Sequence, residues 1–195
     1  MSDNVYQTPK AAVDIPQEAL QPYYVVSNRK FWVMYVATFG IYHIYWFYKN
    51  WQQYKSFTGI SAWPVARGIF SIFFAHSLFG LIRDSADEQE GEPHLNAGLL
   101  ATAYVILSLI SSGTERLASR DLGSPYTDFI SILTMPLVGW VLYQVQKAAN
   151  AACKDPLGDT NNVFTAANVI WIVIGVLFWA MVLFGLYAIA TDSTF

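Results

Sequence analysis

Five hydrophobic stretches separated by short polar ones organise the chain: 31–48, 65–82, 95–111, 129–143 and 163–190. A helix needs about 20 apolar residues to cross about 30 Å of hydrocarbon. The second, third and fifth stretches reach that length as helices. The fifth carries no charge and is long enough to cross with tilt. The first and fourth are interrupted. Thr38-Phe39-Gly40 lies near the middle of the first, and Thr134-Met135-Pro136 with Gly139 lies inside the fourth. Proline removes a backbone donor and glycine weakens a helix interior, so both stretches are expected to break there. Each then runs into a polar helical tail, 49–55 and 144–154. Similar restarts follow, Phe57-Thr58-Gly59 with Trp63 and Phe164-Thr165-Ala166 with Trp171. The order of broken stretch, polar tail and full span suggests a repeat, 29–82 and 125–190. Residues 1–28 are polar, with Pro9, Pro16 and Pro22, and read as a flexible tail before a single helical transmembrane domain, 29–195.

Composition names the solvent. Over half of the 195 residues are hydrophobic (54%) and only 13% are charged, against about a quarter in soluble domains. The 7 Trp and 12 Tyr suit membrane interfaces, where one end of the ring is apolar and the other wet. The net charge of −3 and scattered basic residues speak against a nucleic-acid partner. One cysteine, Cys153, rules out an internal disulfide framework. Residues 1–28 lack the apolar core of a cleavable signal peptide, so none is expected.

Charge decides between two topologies. If all five stretches are plain spans, Lys and Arg divide six against five, with no bias. If the first and fourth fold back as hairpins, ten fall on one side and only Arg83 on the other, beside the acidic run 84–92. Short cytoplasmic loops are enriched in Lys and Arg, so the second topology is expected, with the N-terminus cytoplasmic. The expected fold is therefore all-α: a polytopic helical membrane protein with three full spans plus two broken segments. The broken segments are re-entrant hairpins or interfacial helices, and five plain spans are the alternative. Residues 31–39 reach about 13 Å as a helix, roughly the midplane. The exposed backbone of such a turn needs protein cover.

The densest motif is Thr38-Phe39-Gly40-Ile41-Tyr42-His43-Ile44-Tyr45-Trp46-Phe47-Tyr48-Lys49-Asn50-Trp51. It resembles the first hydrophobic segment of a family of small, uncharacterised bacterial inner-membrane proteins, which reads T-x-G-x-Y-x-x-Y-W, then x-Y-K and a Trp. The resemblance covers residues 23–63. Asn4-Val5-Tyr6-Gln7-Thr8-Pro9 is similar to an N-P-Y-x-x-P tag on bacterial inner-membrane proteins, with Val5 in place of the Pro. The resemblance implies a multi-pass protein of the bacterial inner membrane and brings no activity with it.

Two sets of residues are candidates for function. Tyr45, Tyr48, Trp51 and Tyr54 recur at three-residue steps, with Lys49 and Lys55 between them and Arg67 beyond. They read as an aromatic interface belt with Arg67 snorkelling, or as an aromatic groove for a lipid or cationic head group. Thr38, Gly40, His43, His76, Thr134 and Pro136 form the second set, a polar site near mid-membrane. Ionisable residues there are functional hypotheses by default, although a neutral His bonded to a carbonyl is an ordinary structural element. Two His without a nearby carboxylate or Cys make a poor metal site, and no metal or cofactor is expected. Ser124-Pro125 reads as a helix start, and Glu115, Arg116, Arg120 and Asp121 as a solvated cluster. Ala97/Ala101 and Gly98/Thr102 suit close helix contact, within the bundle or between protomers.

No soluble-enzyme signature is present: no G-x-S-x-G, H-E-x-x-H, C-x-x-C, Walker loop or G-x-G-x-x-G. The expected function is non-catalytic binding of lipid or a membrane-protein partner at the cytoplasmic leaflet. The alternative is a small oligomeric transporter or channel with its site at the broken helices.

Overall fold

The computed structural model describes residues 21–89, 95–120, 122–123 and 126–192, the side chains of 128, 131, 132 and 185–192 apart. The tail 1–20 with its Asn4–Pro9 motif and Lys10, Glu90, Glu92, Asp121 and the Ser124-Pro125 cap lie outside the described residues. The fold is all-α, with seven helices and no strand among the described residues: α1 (Asn28–Ala37), α2 (Tyr42–Thr58), α3 (Pro64–Ile69), α4 (Ser71–Asp87), α5 (Ala97–Ala118), α6 (Tyr126–Ala152) and α7 (Ala166–Asp192).

The first hydrophobic stretch does fold back on itself. Thr38 ends α1, and its hydroxyl donates to the Met34 carbonyl (2.9 Å) while accepting from the Tyr42 amide (2.9 Å). Phe39 has φ +52° and Gly40 φ +81°. Their amides donate back to the Val36 and Tyr35 carbonyls, closing the helix end as a Schellman turn. The two arms then lie side by side. Tyr23 stacks on Tyr54, Tyr24 meets Tyr45 edge-on, and Phe31 meets Tyr42 edge-on. The hairpin thus has a tip at 38–41 and a base at 23–26 and 50–54.

The fourth stretch does not fold back, which corrects the second expected hairpin. Pro136 sits inside one continuous 27-residue helix, α6. Gly139 is a packing notch: a Cβ there would lie 2.6 Å from the Tyr35 ring and 3.0 Å from Trp32. Tyr35 also donates its hydroxyl to the Met135 carbonyl (2.9 Å). The residues that looked like a break are where α1 rests on α6.

The second stretch is also corrected. It breaks at Phe70, which ends α3 and starts α4 with φ −96° and ψ 39°, so it is no single span. The far end of α4 returns to the hairpin base, where the Tyr23 hydroxyl donates to the Leu81 carbonyl (2.7 Å) and meets Ser85 Oγ at 2.9 Å. Arg83 and the start of the acidic run therefore lie at the same end as residues 23–26, not opposite. Helix α5 leaves that end, passes Ser71 at Tyr104 (2.7 Å), and continues about 20 Å to Arg116 and Arg120. Helix α6 returns, reaching the tip at Met135 and the base at Asn150. Helix α7 starts at the base, beside Arg29 and Lys30, and runs past the tip. Eight of the ten Lys and Arg among the described residues cluster toward the base, and Arg116 and Arg120 lie at the far end.

The core is aromatic. Trp46, Phe47, Phe79 and Tyr104 pack ring on ring, with Phe31, Tyr35 and Trp51 also fully buried. Ala97 and Ala101 face this core, while Gly98 and Thr102 face out. Among the described residues, two helices are long and apolar enough to cross a membrane by length and composition, α5 and α7. Helix α6 has the length, but its second half carries Gln144, Gln146, Lys147 and Asn150.

Candidate functional site

Helix α3 lies against α2 because Gly68 lets it. A Cβ at Gly68 would sit 2.9 Å from the Ile44 carbonyl oxygen, so only glycine allows this approach. Beside the contact the two helices leave an open groove of about 400 Å³, lined by Ile41, Ile44, Tyr45 and Tyr48 of α2 and Val65 and Ile69 of α3. Ile41, Tyr45, Val65 and Ile69 are exposed. Their side chains are apolar or aromatic, so the groove suits a hydrocarbon chain rather than a polar solute.

The predicted aromatic row divides here. A three-residue step falls short of a 3.6-residue turn and rotates the row by about 60° per step. Tyr45 and Tyr48 therefore line the groove, whereas Trp51 turns into the core and is 1% exposed. Arg67 covers the Trp51 ring at 4.1 Å and the Phe74 ring at 5.1 Å, a cation held over two π faces. Tyr54 stacks on Tyr23 and is half-buried. Lys49 donates to Gln52 Oε1 (3.2 Å) with its ammonium 6.0 Å from the Tyr24 ring, and Lys55 is exposed.

The midplane set also divides. Thr38, Gly40 and His43 build the tip; His43 Nδ1 lies 2.8 Å from the Gly40 carbonyl. A Cβ on Gly40 would lie 3.3 Å from the Tyr35 hydroxyl and 3.8 Å from Met135, so the tip does abut the Thr134–Pro136 region, where Thr134 is buried. The two histidines do not pair. His76 is exposed on α4 and meets Thr102 of α5 at 3.2 Å. The Thr38 hydroxyl and His43 Nδ1 are engaged by the turn itself.

A buried polar network holds the base, and it falls on residues outside both predicted sets. The segment 23–26 lies outside any helix or strand. Side-chain amides satisfy its backbone instead. Asn50 accepts from the Tyr24 amide (3.1 Å), and Gln146 donates to the Tyr24 carbonyl (3.0 Å). Asn150 accepts from the Val26 amide (3.2 Å) and donates to the Val26 carbonyl (3.0 Å). Asn161 donates to the Val25 carbonyl (2.8 Å). The Trp46 indole donates to Gln146, joining α2 to α6. Lys30, 2% exposed, donates to Asn161 Oδ1 (2.6 Å) and the Val163 carbonyl (2.7 Å). The signal for this network was the matching four-residue spacing of Trp46/Asn50 and Gln146/Asn150, which puts each pair on one helix face.

Among the described residues, no group of three or more His, Cys, Asp and Glu is placed to hold a metal ion. No family model, no curated protein and no solved structure matches this chain.

Proposed function

We propose that this chain is a non-catalytic integral membrane protein that binds lipid, or a membrane-protein partner, at the leaflet holding the hairpin base. Helix α7 carries the reading. It packs chiefly on α1, and most of its large apolar side chains face outward, among them Ile170, Phe178, Met181, Leu183 and Phe184. The core helix of a soluble domain is buried; this one needs a hydrocarbon solvent or a partner along its length. Helices α5, α6 and α7 cross. The α1–α2 hairpin and α3–α4 enter from one side, with the tip near the midplane and covered by α6 and α7. The basic cluster at the base supports a cytoplasmic location for that side and for the N-terminus. The resemblance carried by the motif of the first stretch supports a bacterial inner membrane as the site.

Alkaline carbonate washing and cysteine labelling test this, in a Cys153→Ala background. The protein should stay in the membrane pellet. Ser56→Cys and Asp159→Cys should label from the cytoplasmic side, and Ser119→Cys from the other. Release by carbonate, or labelling of Ser119→Cys together with Ser56→Cys, would overturn the arrangement.

A further inference from the structure

We propose that the α2–α3 groove holds one acyl chain of an anionic phospholipid, with Lys49 and Lys55 receiving its phosphate. The inference rests on the membrane reading above and adds a ligand to it. The groove runs from Ile41, beside the tip, to Tyr48, toward the base. Seven residues of helix are about 10 Å long, within one leaflet of about 15 Å. With the tip near the midplane, a chain in the groove lies along its neighbours in the leaflet, its head at the base. The residues one turn on from Tyr45 and Tyr48 are Lys49 and Gln52, and Lys55 follows Tyr48 by seven. The stripe that is apolar near the tip thus becomes basic at the base.

Neither of those two cations is neutralised, although Lys49 also donates to Gln52 and lies over the Tyr24 ring. The ion pair seen among the described residues is Arg83 with Asp84, and neither Lys49 nor Lys55 has a carboxylate partner there. Arg67, the other cation nearby, is held over Trp51 and Phe74. At the start of α3, Trp63 is 72% exposed, as suits an indole at the head-group level. The groove is also preformed, because Gly68 fixes α3 on the Ile44 backbone. A fixed apolar slot ending in two ammonium groups without a carboxylate partner selects a hydrocarbon chain with a negative head.

Native mass spectrometry of the delipidated full-length protein tests this, with phosphatidylglycerol and phosphatidylcholine of identical acyl chains. One phosphatidylglycerol should bind roughly tenfold more tightly than phosphatidylcholine, as two surface cations imply. Ile69→Trp, at an exposed position, should fill the slot and remove both adducts without lowering thermal stability. Lys49→Gln with Lys55→Gln should equalise the two lipids while an adduct persists. Equal affinities in the native protein, an adduct unchanged by Ile69→Trp, or a dimer in place of a lipid adduct would each overturn the proposal. An embedded protein with no lipid adduct would sink this inference alone, whereas release by carbonate would sink the membrane reading beneath it.

Discussion

Gly40 is the residue on which the hairpin turns. Its φ of +81° is open to glycine, whereas an L-residue there is strained by about 1–2 kcal/mol. The Tyr35 hydroxyl closes the space a side chain would use. Gly40→Ala should lower the melting temperature in detergent by roughly 2–8 °C, and Gly40→Leu by more. A Gly40→Leu protein that melts like the native one would show that the turn has another conformation. Asp155 acts in the same local way beyond α6. Partial burial pushes its carboxyl up, but hydrogen bonds from the Thr160 hydroxyl and amide and the Asp159 amide outweigh this and hold it below the usual carboxylate range. Because the folded value is the lower one, its contribution is present above about pH 4 and is lost as pH falls through the depressed value. Asp155→Asn should flatten that acid limb of a stability-against-pH curve and leave the neutral plateau's slope unchanged.

Between elements, close backbone contact decides which glycines and prolines matter. Gly175 of α7 faces Ala37 so closely that a Cβ would lie 1.9 Å from its carbonyl oxygen. Above it, Trp179 donates to the Val36 carbonyl (3.0 Å) and stacks on Phe39 at 4.4 Å. Gly175→Ala must push α7 off α1, which should cost about 1–3 kcal/mol, the range for overpacking. Hydrogen exchange at residues 36–40 should rise, and exchange at 97–104 should not. Equal protection at both sites would mean that α7 does not hold the tip. Pro136 is the contrasting case. The helix is already continuous through it, so Pro136→Ala should be neutral or stabilising and leave the labelling pattern of α6 unchanged. A switch in the side labelled at Ser119→Cys would show instead that the proline directs topology.

The whole molecule has a charged base and a mostly apolar remainder, and that polarity is expected to orient it. Replacing Lys49, Lys55, Lys147 and Lys154 by Gln removes half of the basic residues described there and should yield two orientations in a labelling assay. Arg116→Gln with Arg120→Gln removes the opposing pair and should leave a single orientation. Equal outcomes for the two sets would mean that helix packing, not charge, chooses the side.

Local features of the chain determined much of this. The long apolar runs of helical length announced an all-α fold. Thr38-Phe39-Gly40 announced a turn because a helix end needs φ > 0 and glycine supplies it. Other decisions needed the fold. A glycine inside a helix either breaks it or receives a neighbour, and for Gly139 the neighbour is Tyr35, about a hundred residues away. The break at Phe70 carried no glycine or proline of its own, and the contact of Tyr23 with Leu81 and Ser85 decided on which side α4 ends. The polar tails carried no sign of which of their residues would be buried. Only when residues 23–26 lay between them outside any helix or strand did Asn50, Gln146 and Asn150 become core, because backbone without a helix or strand partner must find its hydrogen bonds in side chains.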